Sequence, residues 1–139
     1  MFHQFQQIVF LGRPVDFSTP EETPIHRLGT YYLETGYGFR PSKVTYDRKH
    51  SAITEYDFSK IDVDALLEGF DWLHLSGITP ALSKGCAEFV LKLMRSVKEK
   101  GLTVSFDGNF RSLLWSWEEA RDYCTLCLPY IDVLFGIEP

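Results

Sequence analysis

Phe70-Asp71-Trp72-Leu73-His74-Leu75-Ser76-Gly77, then Ser83 to Glu99, then Leu102-Thr103-Val104-Ser105-Phe106 with the polar loop Asp107-Gly108-Asn109-Phe110-Arg111: this stretch decides the fold. The first segment is a short, mostly apolar run ending in small residues, the pattern of a parallel strand covered on both faces. In the second, Ala87, Val90, Leu93, Met94 and Val97 recur at helical spacing. Lys84, Glu88, Lys92, Arg95 and Lys98 fall largely on the other side, with Glu88 four residues before Lys92. Ser83 can cap the start of this helix and Gly101 can end it. Leu102 to Phe106 is a second strand. A strand, helix and strand of this length join parallel neighbours by a right-handed crossover, so both strands finish on the same edge of one sheet.

Ligands of open α/β sheets bind outside the carboxyl ends of the strands, and Asp107, Asn109 and Arg111 sit there. The pattern repeats downstream. Trp117 to Leu128 is helical in spacing, with Glu118, Glu119 and Arg121 on its polar side and Pro129 as its stop. Ile131-Asp132-Val133-Leu134-Phe135 follows as a third parallel strand, and Gly136-Ile137-Glu138-Pro139 is expected to emerge on the same rim as Ser76 and Asp107. Upstream, Asp57 to Glu68 carries Ile61, Val63, Leu66 and Leu67 with acidic residues near its start, which predicts one short helix leading into the Phe70 strand.

Leu28-Gly29-Thr30-Tyr31-Tyr32-Leu33-Glu34 and Lys43-Val44-Thr45-Tyr46-Asp47-Arg48 are β-prone runs separated by Gly36, Gly38 and Pro41, a hairpin with a long connection. Val44, Tyr46 and Arg48 share one face by strict alternation. Two readings of that face are open. It is either an exposed hairpin with an incidental Tyr and Arg, or a flap offering a phenol and a guanidinium to a carboxylate or sugar. Phe2 to Leu11 reads as an apolar segment, and Gly12 to Pro24, with Pro14, Pro20 and Pro24, as irregular connection.

A chain of 139 residues that is 45% hydrophobic and 24% charged suits one globular domain of α/β class with a modest core, and no second complete domain is expected. A net charge of -5 argues against nucleic acid or an anionic membrane as general partner. No long apolar run and no signal-peptide pattern are present, so a cytoplasmic location is expected. Cys86, Cys124 and Cys127 have no second pair to complete a zinc ribbon. Cys124-Thr125-Leu126-Cys127 falls inside the expected helix rather than at its opening, and all three read as ordinary buried or half-buried thiols.

Gly29-Thr30-Tyr31-Tyr32-Leu33-Glu34-Thr35-Gly36, Arg40-Pro41-Ser42-Lys43-Val44-Thr45-Tyr46-Asp47-Arg48, Leu75-Ser76-Gly77-Ile78-Thr79 and Asp107-Gly108-Asn109-Phe110-Arg111 resemble, in that order and spacing, the middle of 2-keto-3-deoxygluconate kinases. These are ribokinase-like (PfkB-type) sugar kinases, and the similarity runs from about Val15 to Pro139. The resemblance implies one partial ribokinase-like domain over residues 1–139, with a β flap at 28–48 and a parallel βαβαβ core at 70–139. It also implies ATP-dependent transfer of a phosphoryl group to the terminal hydroxyl of a keto-deoxy sugar acid, with ATP and Mg2+ serving the full-length enzyme. Carried over by position, Tyr31, Tyr46 and Arg48 reach the substrate from the flap and Arg111 holds it from the rim. Asp107 and Asn109 either shape that rim or cap the turn that Gly108 permits. A second copy meeting the flap is a further partner the resemblance implies.

The departures bear on activity. These residues contain neither the family's glycine-rich N-terminal substrate segment nor its Gly-Ala-Gly-Asp motif, whose amides cradle the transferred group and whose Asp is the base. Gly36-Tyr37-Gly38 precedes no helix and does not replace it. Ile137 stands about where the family commonly has the Asn of its metal-linked Asn-Xaa-Xaa-Glu motif. Phosphoryl transfer rests on positioning and charge stabilisation. No catalytic base, no metal ligand and no tight ATP binding are therefore expected of this chain, which should be inactive alone. The alternatives are another PfkB-type sugar kinase, such as a fructokinase, and a non-catalytic binding or interaction fragment.

Overall fold

The computed structural model describes residues 9–10, 13–14 and 27–136. The expected apolar segment at residues 2–11 and the connection at 12–24 lie outside the described residues apart from two short strands, and so does the rim segment at 136–139 apart from Gly136. Strands β1 (Val9–Phe10) and β2 (Arg13–Pro14) pair antiparallel, so this part of the expected irregular connection is strand. A proline is tolerated at the margin of so short a ladder.

The hairpin is present as expected. Strands β3 (Thr30–Glu34) and β4 (Lys43–Asp47) pair antiparallel with Tyr31 opposite Tyr46 and Leu33 opposite Val44. Its connection is closed by the Gly36 amide donating to Ser42 Oγ at 3.0 Å and by Arg40 paired with Glu34 at 2.7 Å.

The single helix expected from Asp57 to Glu68 is corrected to two short pieces. Asp57 accepts from the Ser59 amide and starts a 3-10 turn at Phe58–Lys60, while Asp62 accepts from the Asp64 and Ala65 amides and starts a separate helix. Each aspartate makes its own cap, which breaks what the apolar spacing alone would have joined. Two further short helices were not expected. In chain order the helices here are α1 (Ala52–Glu55), α2 (Val63–Leu67) and, after strand β5 (Trp72–Ser76), α3 (Ile78–Leu82).

The core follows the expected order: helix α4 (Lys84–Glu99), strand β6 (Thr103–Asp107), helix α5 (Trp117–Cys127) and strand β7 (Val133–Phe135). Strands β5, β6 and β7 are parallel neighbours in that order. Ser83 Oγ accepts from the Cys86 amide at the start of α4. At its end Gly101 takes a φ of 70°, its amide donates to the Lys98 carbonyl, and the Leu102 amide donates to Val97, which together close the helix. Glu88 pairs with Lys84 at 3.6 Å, not with Lys92 as the spacing suggested. Ser116 and Glu119 cap α5 reciprocally, and a 3-10 turn over Leu128–Tyr130 takes up Pro129.

Cys86, Val90, Leu93, Met94 and Val97 of α4 and Ala120, Cys124 and Cys127 of α5 are buried. Val104 and Phe106 of β6, with Val63 and Leu67 of α2, complete the same cluster apart from Cys86 and Ala120. Burying each large apolar side chain contributes roughly 1.5–3 kcal/mol. Two right-handed crossovers stepping in one direction put both helices on one face of the sheet. On the opposite face no helix covers Trp72, His74 and Phe135 among the described residues, and Trp72 keeps 42% of its surface, while Ser105, hydrogen-bonded to the Trp72 and His74 side chains, is buried. This corrects the expectation of a β5 strand covered on both faces. The indole and imidazole on that face instead make polar contacts, both meeting the Ser105 hydroxyl at 2.8 Å.

Asp132 ties the lower edge together. Its Oδ1 meets Lys98 Nζ at 2.6 Å and its Oδ2 accepts from the Val104 amide at 2.8 Å. Both contacts favour the charged form and hold its carboxyl below the usual aspartate value. Among the described residues no helix is long and apolar enough to cross a membrane.

Candidate functional site

The carboxyl ends of the three parallel strands are stitched into one rim. The Gly77 amide donates to the Asp107 carbonyl at 2.8 Å and the Gly108 amide to the Phe135 carbonyl at 3.3 Å. Asn109 has a φ of 38°, a left-handed conformation that Asn adopts more readily than most residues. It is held there twice: its amide donates to Asp107 Oδ1 at 3.1 Å and its Nδ2 to Ser76 Oγ at 3.1 Å. The polar atoms of Asp107 and Asn109 that make these bonds hold the loop in shape. Arg111 leaves this platform exposed, and among the described residues its side chain donates only to the neighbouring Phe110 carbonyl at 3.0 Å. Phe110 packs edge-on against Trp117 at 5.3 Å and anchors the loop's far side.

On the hairpin, cross-strand pairing puts Tyr31 on the same face as Tyr46, and alternation adds Arg48. The two phenol rings lie 6.3 Å apart, and the Arg48 guanidinium sits 4.3 Å from the centre of the Tyr46 ring. The three form one amphipathic cluster, since a guanidinium is favourably placed over an aromatic face while its N–H groups stay free to donate.

The structure thus brings Tyr31, Tyr46 and Arg48 together, and separately Asp107, Asn109 and Arg111. Among the described residues no hydrogen bond, ion pair or ring contact joins the hairpin group to the rim group. Sequence reasoning overlooked Ser76 as a structural partner, although a hydroxyl at a strand's carboxyl end was the available signal. It also overlooked Arg27, whose guanidinium holds the hairpin's base, and no local pattern marks it. The thiols are as expected: Cys86, Cys124 and Cys127 are free and buried, and burial pushes Cys127 up to about 11.

An open parallel α/β sheet with a polar loop on its carboxyl rim and a hairpin standing apart is the frame of a small-ligand enzyme. The sequence profile of the pfkB family carbohydrate kinases matches residues 13–139, and the chain belongs to that family. It is 42% identical over 112 residues to a 2-dehydro-3-deoxygalactonokinase of Haloferax volcanii, covering 81% of this chain and 35% of that protein. It is 32% identical over 143 residues to the 2-dehydro-3-deoxygluconokinase of Escherichia coli strain K12, covering 92% of this chain and 46% of that one. Among solved structures, the 2-dehydro-3-deoxygluconokinase of Thermotoga maritima superposes with a TM-score of 0.74 at 45% identity, over 78% of this chain and 33% of that one. A PfkB family carbohydrate kinase from Listeria grayi gives 0.76 at 41% identity, over 81% and 35%. The chain therefore spans between about a third and a half of the length of these relatives.

Proposed function

We propose that the chain supplies the substrate-holding part of an ATP-dependent kinase acting on a 2-keto-3-deoxy sugar acid. The observation that carries this reading is the state of the arginines. Among the described residues Arg27, Arg40 and Arg121 are ion-paired and Arg95 is engaged by Tyr130, whereas Arg48 and Arg111 have no carboxylate partner. Two such guanidiniums, one beside a pair of phenols, match a ligand with one carboxylate and several hydroxyls. Arg48 and Arg111 hold the carboxylate end, and Tyr31 and Tyr46 donate to or accept from the hydroxyls. The hairpin is the flap and the strand ends are the floor.

The donor is ATP with Mg2+, which supplies the phosphoryl group when bound. The residues present do not fit either. Among the described residues no three His, Cys, Asp or Glu side chains gather as a metal site, and no glycine-rich turn opens a helix. The transfer chemistry is accordingly assigned to none of the described residues. Calorimetric titration of the purified chain with 2-keto-3-deoxygluconate and with fructose, alongside an ATP-consumption assay, tests the reading. Saturable binding of the acid sugar in preference to fructose, without turnover above a background control, is expected. Preference for fructose would assign a neutral sugar, and binding of neither would leave a non-substrate role.

A further inference from the structure

We propose that Arg27 is a positioning residue: its guanidinium and the Asp47 carboxylate form a clasp at the hairpin's base that sets where Tyr46 and Arg48 are presented. Both hairpin strands are exposed along their whole length. Among the described residues the side chains of β3 and β4 make no hydrogen bond or ion pair to the α/β core, so the hairpin's direction is decided at its root. There Arg27 meets both ends at once. Its Nη2 reaches Asp47 Oδ1 and the Lys49 carbonyl, each at 2.5 Å. Its Nη1 faces the Leu28 carbonyl at 3.3 Å and the Asp47 carbonyl at 3.5 Å.

The clasp is itself tied to the core. The Arg27 carbonyl accepts from the Ala52 amide at 2.8 Å, where the chain enters α1. The Ile53 carbonyl in α1 accepts from the Cys86 thiol of α4 at 3.3 Å, and Cys86 is wholly buried. A continuous path thus runs from the packed helix to the last residue of β4. Asp47 lies on the opposite face of β4 from Tyr46 and next to Arg48. Gripping it from behind fixes the twist of the strand that carries the cluster in front. An exposed ion pair by itself stabilises little. The contribution here is geometric, because a planar guanidinium with four acceptors admits one orientation whereas an ammonium would admit many. The link to substrate rests on reading the Tyr31, Tyr46 and Arg48 face as a sugar-acid surface.

Two measurements on the full chain test the clasp. Spin labels on Tyr37→Cys at the exposed hairpin tip and on Lys92→Cys of α4 report the hairpin's orientation, since the native thiols are buried. One narrow distance distribution is expected with Arg27 in place, and a broad one with Arg27→Ala and with Arg27→Lys. The lysine variant keeps the charge and decides the matter if the alanine variant folds poorly. Equal widths in the folded variants and the unaltered chain would overturn the proposal. In the second measurement, Arg27→Lys weakens 2-keto-3-deoxygluconate about tenfold, with helix content unchanged. Unchanged affinity alongside a broadened distribution would sink the positioning role. Absence of any binding by the unaltered chain would sink the substrate reading instead, leaving the distances to decide the clasp.

Discussion

Gly77 lies beneath the carbonyl oxygen of Gly108, so close that a Cβ on Gly77 would stand 2.1 Å from it. The obstacle is backbone held by the rim's own hydrogen bonds, and it cannot swing aside as a side chain would. Gly77→Ala should cost roughly 1–3 kcal/mol or more by overpacking. Gly85→Ala is the control, because its Cβ would meet the Phe58 ring at 3.7 Å and Ser83 Oγ at 3.9 Å, both ordinary van der Waals contacts with side chains. Alanine there should be neutral or add up to about 1 kcal/mol through helix propensity. Urea midpoints of the two variants check the contrast, and equal midpoints would remove the rim's rigidity from the account.

Arg111→Ala should weaken the acid sugar by roughly 1.5–3 kcal/mol, the range for a charge-assisted hydrogen bond, while leaving ATP affinity in a full-length enzyme nearly unchanged. Lysine should rescue poorly for want of a planar fork. Titration with both ligands separates the cases, and an unaltered sugar-acid affinity removes Arg111 from the site.

Ser105 should fix the tautomer of His74. The Trp72 indole can only donate, so it takes a lone pair of the Ser105 oxygen. With Ser105 only 1% exposed, its own hydrogen finds an acceptor in an unprotonated His74 Nδ1, which places the imidazole hydrogen on Nε2. Nitrogen chemical shifts of His74 read this directly. Ser105→Ala should release the preference and cost about 1 kcal/mol.

Acid should loosen the lower edge of the sheet. The folded Asp132 carboxyl titrates below its ordinary value of 3.8, held down by Lys98 and the Val104 amide. Its contribution is therefore complete above the unfolded value and is lost as pH falls through the folded one. Melting temperature should fall more steeply with acidification in the unaltered chain than in Asp132→Asn. Parallel pH profiles would show that the contact contributes nothing.

The three thiols should resist labelling in the folded chain. Cys86 and Cys127 are fully buried, and Cys127 is raised to about 11, so little thiolate is offered near neutral pH. An aromatic disulfide reagent should modify them only after denaturant is added, and fast modification of the native chain would contradict the packing described.

The parallel core was legible because its signals are long and redundant: α4 shows five buried residues at helical spacing between a serine cap and a glycine stop. The region from Asp57 to Glu68 was misread because apolar spacing does not reveal that two aspartates will each turn inward as a cap. The open face of β5 was misread for a related reason, since an apolar run looks the same whether one side or both are covered. At the candidate site, alternation located the Tyr46 and Arg48 face. The Arg27 clasp depends on residues 20 and 22 positions apart in the chain meeting at one guanidinium, which no local pattern encodes.

Strands β5, β6 and β7 lie side by side in the order in which they are synthesised. Among the described residues no later strand is threaded between earlier ones, so the β5–β6 and β6–β7 pairings each close a loop spanned by a single crossover. Short loops keep the entropic cost of closure low and favour fast folding. On a ribosome, β6 can dock on β5 once β6 itself has followed α4 out of the exit tunnel, and β7 can then extend the same edge, a sequence of growth that suits vectorial assembly from the amino-terminal side.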